Sequence, residues 1–376
     1  MNVIFLRSNP VDPDSRVEKE VNALLKVGHS VKVLAWDRDS KYSLQTKTLN
    51  LENGEVEIFR IGIPATFGGG FKRNLLPLIM FQLNIYHWLK KNISSFDVIH
   101  ACDFDTSFTS IIFAKLHNKK IVYDIFDYYV DSFKIPIMIK PFIEFFDSRI
   151  IKYSDAVILC SEERIRQVKN PGRRRFHIIH NSPPEINSNQ TNSNYQKSNK
   201  LKIVYVGILD EGRMIKEIVK IVQSCEFFEL HIAGFGRLED YLINVARACN
   251  NIFFYGRIPY GKTLELERMC DIITAIYDPK IRNHKFAAPN KFYEALMLGK
   301  PLIMISGTGK ADFVNKEQIG FVIDYEYSSL KQAFTEIYEN IDYWRKSEDR
   351  IKKYYTDFSW SEMEKRLIAI YNQFVD

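Results

Sequence analysis

Short apolar runs that alternate with helical periodicity constrain this chain more than any other feature. NVIFL at 2–6, SVKVLAW at 30–36, FDVIHA at 96–101, KKIVYDI at 119–125, DAVILC at 155–160 and FHIIH at 176–180 each predict a strand. Between the first two, SRVEKEVNALLKVG at 15–28 sets Val17, Val21, Leu24 and Leu25 at helical spacing, and Gly28 stands where a chain leaves a helix. Apolar strands separated by helices belong in a parallel sheet covered on both faces.

The pattern stops and then starts again. Residues 182–200, SPPEINSNQTNSNYQKSNK, are rich in Asn and Ser and offer almost nothing to bury, which predicts a linker or solvated loop. LKIVYVG at 201–207, FELHIAG at 228–234, NIFFYG at 251–256, DIITAIY at 271–277, KPLIMI at 300–305 and GFVIDY at 320–325 resume the strands. SEMEKRLIAIYNQF at 361–374 is helical in pattern. A chain of 376 residues exceeds one ordinary core. The expected division is a domain over 1–181, a linker over 182–200, a second domain over 201–357 and a closing segment over 358–376. Two doubly wound α/β domains of this kind hold ligands in a cleft at the carboxyl ends of their strands.

Composition narrows the partners. Apolar residues make up 46% of the chain, enough for sizeable cores. A net charge of +6 is too small for a dedicated nucleic-acid binder but suits a phosphorylated small molecule or an anionic membrane surface. The five cysteines, at 102, 160, 225, 249 and 270, form no C-x-x-C pair and have no zinc-like His spacing. They read as free thiols of a reducing compartment. MNVIFLRSNP lacks the pattern of a signal peptide, and no apolar run approaches the roughly 20 residues that span a bilayer. A cytoplasmic protein is expected.

The segment APNKFYEALMLGKPLIMI, 288–305, carries the densest chemistry. A helix from about Pro289 to Gly299 places Phe292, Ala295 and Leu296 on one face and Asn290 and Glu294 on the other. Its N-terminus attracts anions, and Lys291 in the first turn suits a bound anion. Glu294 would repel a phosphate and is better placed to accept hydrogen bonds from sugar hydroxyls. A merely solvated helix start has the same composition.

Pro289-Asn290-Lys291-Phe292-Tyr293-Glu294-Ala295, followed by Gly299-Lys300-Pro301, resembles the donor-binding motif of the retaining glycosyltransferases of family 4, which have the GT-B fold. The resemblance extends over nearly the whole chain and points to a polysaccharide or lipopolysaccharide subgroup. It implies that Lys291 lies near a nucleotide diphosphate, that Glu294 binds the ribose and that Asn290 belongs to the same donor site. YVGILDEGRMIKEIV, 205–219, is similar to the strand, loop and helix that open the second domain, with Gly207 approaching the phosphates and Arg213 neutralising them. LHIAGFGRLEDYL, 230–242, looks like the I-A-G-x-G loop, with Gly234 and Gly236 approaching the nucleotide; a tight strand-to-helix turn would also need these glycines. FSWSEMEKRLIAIY, 358–371, resembles the family's closing helix, which returns to the first domain, with Trp360 as a packing residue.

In the first half, residues 8–38 resemble the family's first loop and helix, which sets Asp14, Ser15 and Arg16 on the acceptor side, although Asp14 or Ser15 also suits a simple N-cap. VIHACDFDTS, 98–107, is similar to the segment after a central strand. It makes His100, Asp103 and Asp105 acceptor-side candidates, with His100 and Asp103 also candidates for catalysis; a strand-end His is equally at home in a core. Phe286 stands where many members have a first glutamate, Ile208 where many have an arginine, Cys102 where many have a second histidine, and Phe126-Asp127 where many have His-Glu. Asp127 is therefore a further acceptor-side candidate.

The implied reaction moves a sugar from a nucleotide diphosphate, UDP or GDP, to a hydroxyl of a glycan or lipid-linked acceptor with retention, without metal or other cofactor. Arg213 and Lys291 would stabilise the leaving diphosphate. The basic, aromatic stretches 67–91, with Lys72, Arg73, Lys90 and Lys91, and 128–146, with Lys134 and Lys140, suit a bilayer surface as well as an ordinary core. Other functions open to this architecture are an epimerase, a phosphorylase, or a non-catalytic partner that binds a nucleotide sugar.

Overall fold

The computed structural model describes residues 1–66, 69–133, 135–169, 176–185 and 199–375. They form two compact units, Met1–His180 together with Met363–Asp376, and Asn181–Glu362.

Unit 1 is built on β1 (Asn2–Arg7), β2 (Ser30–Asp37), β3 (Tyr42–Leu51), β4 (Gly54–Gly62), β5 (Val98–Cys102), β6 (Lys120–Ile125), β7 (Ala156–Leu159) and β8 (His177–Ile178). Their order across the sheet is β3-β4-β2-β1-β5-β6-β7-β8. All neighbours are parallel except β3 and β4. That hairpin departs from the all-parallel sheet expected from the sequence. YSLQTKTLNL of β3 is exposed along most of its length, as an edge strand is, so no apolar run announces it.

The helices α1 (Ser15–Lys26), α2 (Gly70–Lys91), α3 (Phe104–Leu116), α4 (Tyr129–Ser132) and α5 (Lys140–Tyr153) follow these strands. Phe81, Ile85, Trp88 and Leu89 of α2 pack on Trp36, Leu34 and Leu6 of the sheet. The Trp36 and Phe81 rings stack with centroids 4.5 Å apart.

A helix at Trp360–Asn372 completes this unit from Met363 onward. Met363, Leu367, Ile370 and Tyr371 are buried, and the Tyr371 hydroxyl lies 2.6 Å from Nδ1 of His100. The His180 amide donates to the Met363 sulfur at 3.1 Å. Spacings of 4, 3 and 1 residues give the helix one apolar stripe, and unit 1 supplies the surface it covers.

Unit 2 is a second sheet, of β9 (Leu201–Ile208), β10 (Phe228–Phe235), β11 (Ile252–Phe254), β12 (Ile272–Ala275), β13 (Leu302–Ile305) and β14 (Gly320–Ile323), in the order β11-β10-β9-β12-β13-β14 and parallel throughout. The helices α6 (Ile215–Gln223), α7 (Glu239–Ala248), α8 (Tyr260–Met269) and α9 (Asn290–Leu298) cover it. On α6, Ile215, Ile218, Val219, Ile221 and Val222 are all buried, each worth roughly 1.5–3 kcal/mol of transfer free energy.

The expected linker falls mostly on 186–198, outside the described residues. Its start is not a solvated loop. Ser182 and Pro183 are buried, the Pro183 carbonyl accepts from the Tyr355 hydroxyl at 2.7 Å, and Glu185 accepts from Ser361 at 2.9 Å. Partners distant in sequence supply the burial that the polar composition hides.

Strands β9 and β10 meet closely at their carboxyl ends. A Cβ on Gly234 would come within 1.8 Å of the Gly207 carbonyl oxygen, and one on Gly236 within 2.5 Å of the Leu209 oxygen. Both glycines lie at positive φ, +144° and +147°. Gly234→Ala is therefore expected to cost about 3–5 kcal/mol in urea denaturation without any nucleotide. Gly307→Ala, at φ +72° with nothing within 4 Å of the new Cβ, should cost only ~1 kcal/mol.

Burial, helped by the nearby Glu144 and Asp103 charges, pushes the Asp147 carboxyl up to about 7, although it accepts a 2.6 Å hydrogen bond from Tyr123. A folded pKa above the ordinary 3.8 means that the protonated acid is the stabilising form. Its contribution is complete below pH 3.8 and is lost as pH rises through 7. Asp147→Asn cannot ionise, so its stability relative to the parent should improve from pH 5 to pH 8, by at most ~3 kcal/mol. A pH-independent difference in chemical denaturation would contradict this.

Candidate functional site

The carboxyl ends of β9 and β12, the neighbouring strands at which the order of unit 2 reverses, gather two cations on two aromatic faces. Lys291, in the first turn of α9, holds its Nζ 4.8 Å from the Tyr205 ring centroid. A Cβ on Gly207 would meet that Nζ at 3.0 Å, so the bare glycine at the end of β9 admits the ammonium. Arg213, in the loop after β9, lies over the Tyr277 ring at 3.7 Å. Its Nη1 is buried without a hydrogen-bond partner among the described residues. Burial alone would lower the Lys291 pKa. The Tyr277 and Tyr205 phenols and the Glu294 carboxylate outweigh it and raise the value, while Arg213 repels. Lys291 and Arg213 are thus close enough to feel one another, and an anion beside them would relieve the repulsion.

Helix α9 starts one residue later than expected, with Pro289 as its cap and no side-chain hydrogen bond there. It ends at Gly299, in the left-handed conformation with φ 66°. Phe292, Ala295 and Leu296 face the core as expected. Asn290 is exposed and accepts from the Asn181 side chain at 3.0 Å.

Glu294 corrects the picture of a polar face turned outward. It is only 3% exposed, because α8 covers that side, and Tyr260 of α8 donates its hydroxyl to it at 3.0 Å.

The glycines of the I-A-G-x-G segment also need correction. Gly234 and Gly236 are required by the approach of β10 to β9. Their amides are occupied, the first donating to the Gly256 carbonyl at 2.8 Å and the second to Glu239 at 2.7 Å. Phe286 sits on a short 3₁₀ turn at Arg282–Phe286, and Ile208 is 53% exposed at the end of β9.

At the corresponding end of unit 1, Arg7 closes β1 and is the hub. It donates to Asp14 at 2.9 Å and to Asp103 at 2.5 Å, and lies over the Phe126 ring at 4.2 Å. Asp14 caps α1 by accepting from the Val17 amide, and Ser15 beside it is exposed. Asp103 holds φ at +66° and accepts from the amides of Phe126 and Asp127 at 2.9 and 3.2 Å. Burial raises its carboxyl to about 6 even though the Arg7 charge pulls downward. Asp127 is half-exposed and accepts from Arg164 at 2.6 Å.

Three other candidates turn inward. His100 is fully buried, stacked on Phe5 with ring centroids 4.0 Å apart and tied to Tyr371, so it links the closing helix to the sheet and does not reach the surface. Arg16 is buried in ion pairs with Glu20 at 3.0 Å and Asp124 at 2.8 Å. Asp105 is buried, with Arg38 at 3.7 Å from its carboxylate.

Among the described residues, one trio, Glu20, His100 and Asp124, brings metal-capable atoms within 4.8 Å of one another. The Arg16 guanidinium already supplies the positive charge there. Burial and the Asp124 charge push Glu20 well up, whereas burial of Asp124 is outweighed by Arg16. This is a neutralised core network.

Arg7, Arg164, Tyr205 and Tyr277 are the residues that the sequence reading missed. Arg7 had a signal, a charge directly after the apolar run of β1. Tyr205 and Tyr277 had none, being aromatics within or beside strands.

Residues 187–357 match the family described as Glycosyl transferases group 1. No sequence among the curated proteins matches. Among solved structures, the chain is similar to sucrose-phosphate synthase (tll1590) from Thermosynechococcus elongatus, with a TM-score of 0.77, 15% identity and coverage of 100% of this chain and 99% of that one. It is similar to Anabaena Alr3699/HepE in complex with UDP, with a TM-score of 0.68, 13% identity and coverage of 99% and 100%. It is also similar to the apo form of the lipopolysaccharide outer core galactosyltransferase WaaB, with a TM-score of 0.65, 14% identity and coverage of 99% of each chain. At such identities the likeness speaks for the fold. Residues 187–357, nearly all of unit 2, are thus similar to the group 1 glycosyl transferases, and the chain has the GT-B fold.

Proposed function

We propose that this chain is a retaining glycosyltransferase of the family 4 type, which takes a sugar from UDP or GDP and passes it to a hydroxyl of a glycan or lipid-linked acceptor in cell-surface polysaccharide or lipopolysaccharide synthesis. The observation that carries this reading is the pair Lys291 and Arg213 at the strand ends of unit 2, with a buried Arg213 Nη1 that has no hydrogen-bond partner among the described residues. A diphosphate is the anion such a pair suits. Cleaving the glycosyl–phosphate bond leaves negative charge on it, and both cations are held in advance by aromatic faces and a covered loop. They do the work a divalent metal would do, so no metal or other cofactor is required. Glu294 accepts from donor hydroxyls, the ribose first. Asp14, Ser15, Asp103 and Asp127 of unit 1 offer polar groups to the acceptor, with Arg7 holding two of these carboxylates in place.

The membrane is proposed as the place where a lipid-linked acceptor is met. Helix α2 buries one side and leaves Leu76, Ile79 and Leu83 exposed on the other, while Ile137 and Met138 before α5 are 84% and 89% exposed. No helix among the described residues is long and apolar enough to cross a bilayer. Lys134 lies outside the described residues, and Lys140 is paired with Asp131 at 3.1 Å, which leaves the apolar side chains as the main anchor.

Calorimetric titration with UDP, GDP and ADP should give one clear preference. Lys291→Ala and Arg213→Ala should each weaken that binding by ~1–3 kcal/mol. Parent-like affinity in both variants would sink the site. In a sedimentation assay with anionic phospholipid vesicles, Leu76→Glu combined with Met138→Glu should reduce binding by about tenfold or more while nucleotide affinity stays unchanged. Unaltered vesicle binding would reject the membrane face.

A further inference from the structure

Beside the proposed donor site lies a carboxyl group with no evident purpose. Glu267 of α8 is fully buried, and neither carboxylate oxygen has a hydrogen-bond partner among the described residues. It faces Glu294 of α9, itself 3% exposed. The other titratable groups around it are Lys291 of α9, Tyr260 of its own helix and Cys270 directly after that helix. Tyr260 already donates to Glu294 at 3.0 Å. Two carboxylates within hydrogen-bonding reach in a buried site cannot both be charged without severe repulsion. One proton between them removes the repulsion and gives Glu267 its missing bond.

Resting on the nucleotide-sugar reading above, we propose that Glu267 is a positioning residue that holds the shared proton and donates it in a hydrogen bond to Glu294, fixing that carboxylate as the acceptor for the donor's ribose hydroxyls. Glu267 keeps the proton because burial and the neighbouring Glu294 charge both push its carboxyl well up, while Lys291 only partly opposes them. Glu294 then receives one bond from Tyr260 and one from Glu267. These fix the side chain from the α8 side. A leucine at 267 would pack as well but could donate nothing. A glutamine could donate without needing a proton.

The test compares the parent, Glu267→Gln and Glu267→Met. For each, calorimetry measures the affinity of the preferred nucleoside diphosphate and of its 2′,3′-dideoxy counterpart from pH 6 to pH 9. The parent should prefer the ribonucleotide and lose that preference as pH rises and Glu267 gives up its proton. Glu267→Gln should keep the preference at every pH. Glu267→Met should lower it by about tenfold while binding the dideoxynucleotide as the parent does. A Met variant with the parent's preference, or a Gln variant that behaves like Met, overturns the proposal.

Should the parent bind no nucleoside diphosphate, the donor-site reading falls, and with it the ribose role. The shared proton is then read from ligand-free stability. A folded pKa above the ordinary 4.5 gives a contribution that is lost as pH rises through it, so the parent should lose stability relative to Glu267→Gln toward high pH. Parallel stability profiles would remove the shared proton as well.

Discussion

The missing side chain at position 234 governs the geometry of unit 2. Only a bare α-carbon there lets β10 close on the Gly207 carbonyl. That closure sets the end of β9, and Gly207 in turn leaves room for the Lys291 ammonium. Tyr205, the fifth of the eight residues of the same strand, offers its ring to the ammonium and its hydroxyl to the Ile208 carbonyl at 2.6 Å. A cation normally ill-suited to a helix N-terminus is thereby kept where the dipole opposes it. The cost is met by packing far from the charge, in the β9–β10 contact and the α6 core.

Both units place their polar groups at the carboxyl ends of their sheets near the point where strand order reverses, but with opposite electrostatics. In unit 2 cations predominate at that edge and a guanidinium nitrogen is left without a partner. In unit 1 one arginine is shared between two carboxylates, Asp14 and Asp103, and is consumed by them. An anion suits the first edge and hydroxyl groups suit the second.

Much of the fold was legible in the sequence because buried parallel strands are written as plain apolar runs. Twelve such runs all became strands. The β3–β4 hairpin was not legible, since an exposed edge carries polar residues that look like a loop. That Arg213 and Lys291 lie near one another was legible through the resemblances of 205–219 and 289–301. The burial of His100, Arg16 and Asp105 was not, because each is partnered by a residue distant in sequence: Tyr371, Asp124 and Arg38. Charge in a sequence says nothing of which partner will cover it. Glu294 shows the same limit, since only the packing of α8 on α9 decides that it is buried.

The closing helix has a consequence for how the chain is made. Its Tyr371 sits against His100 in the middle of the first sheet, and its Met363 meets His180. During synthesis, the strands of unit 1 leave the ribosome long before the segment that seals them. Their apolar groove must wait, uncovered, while all of unit 2 is translated.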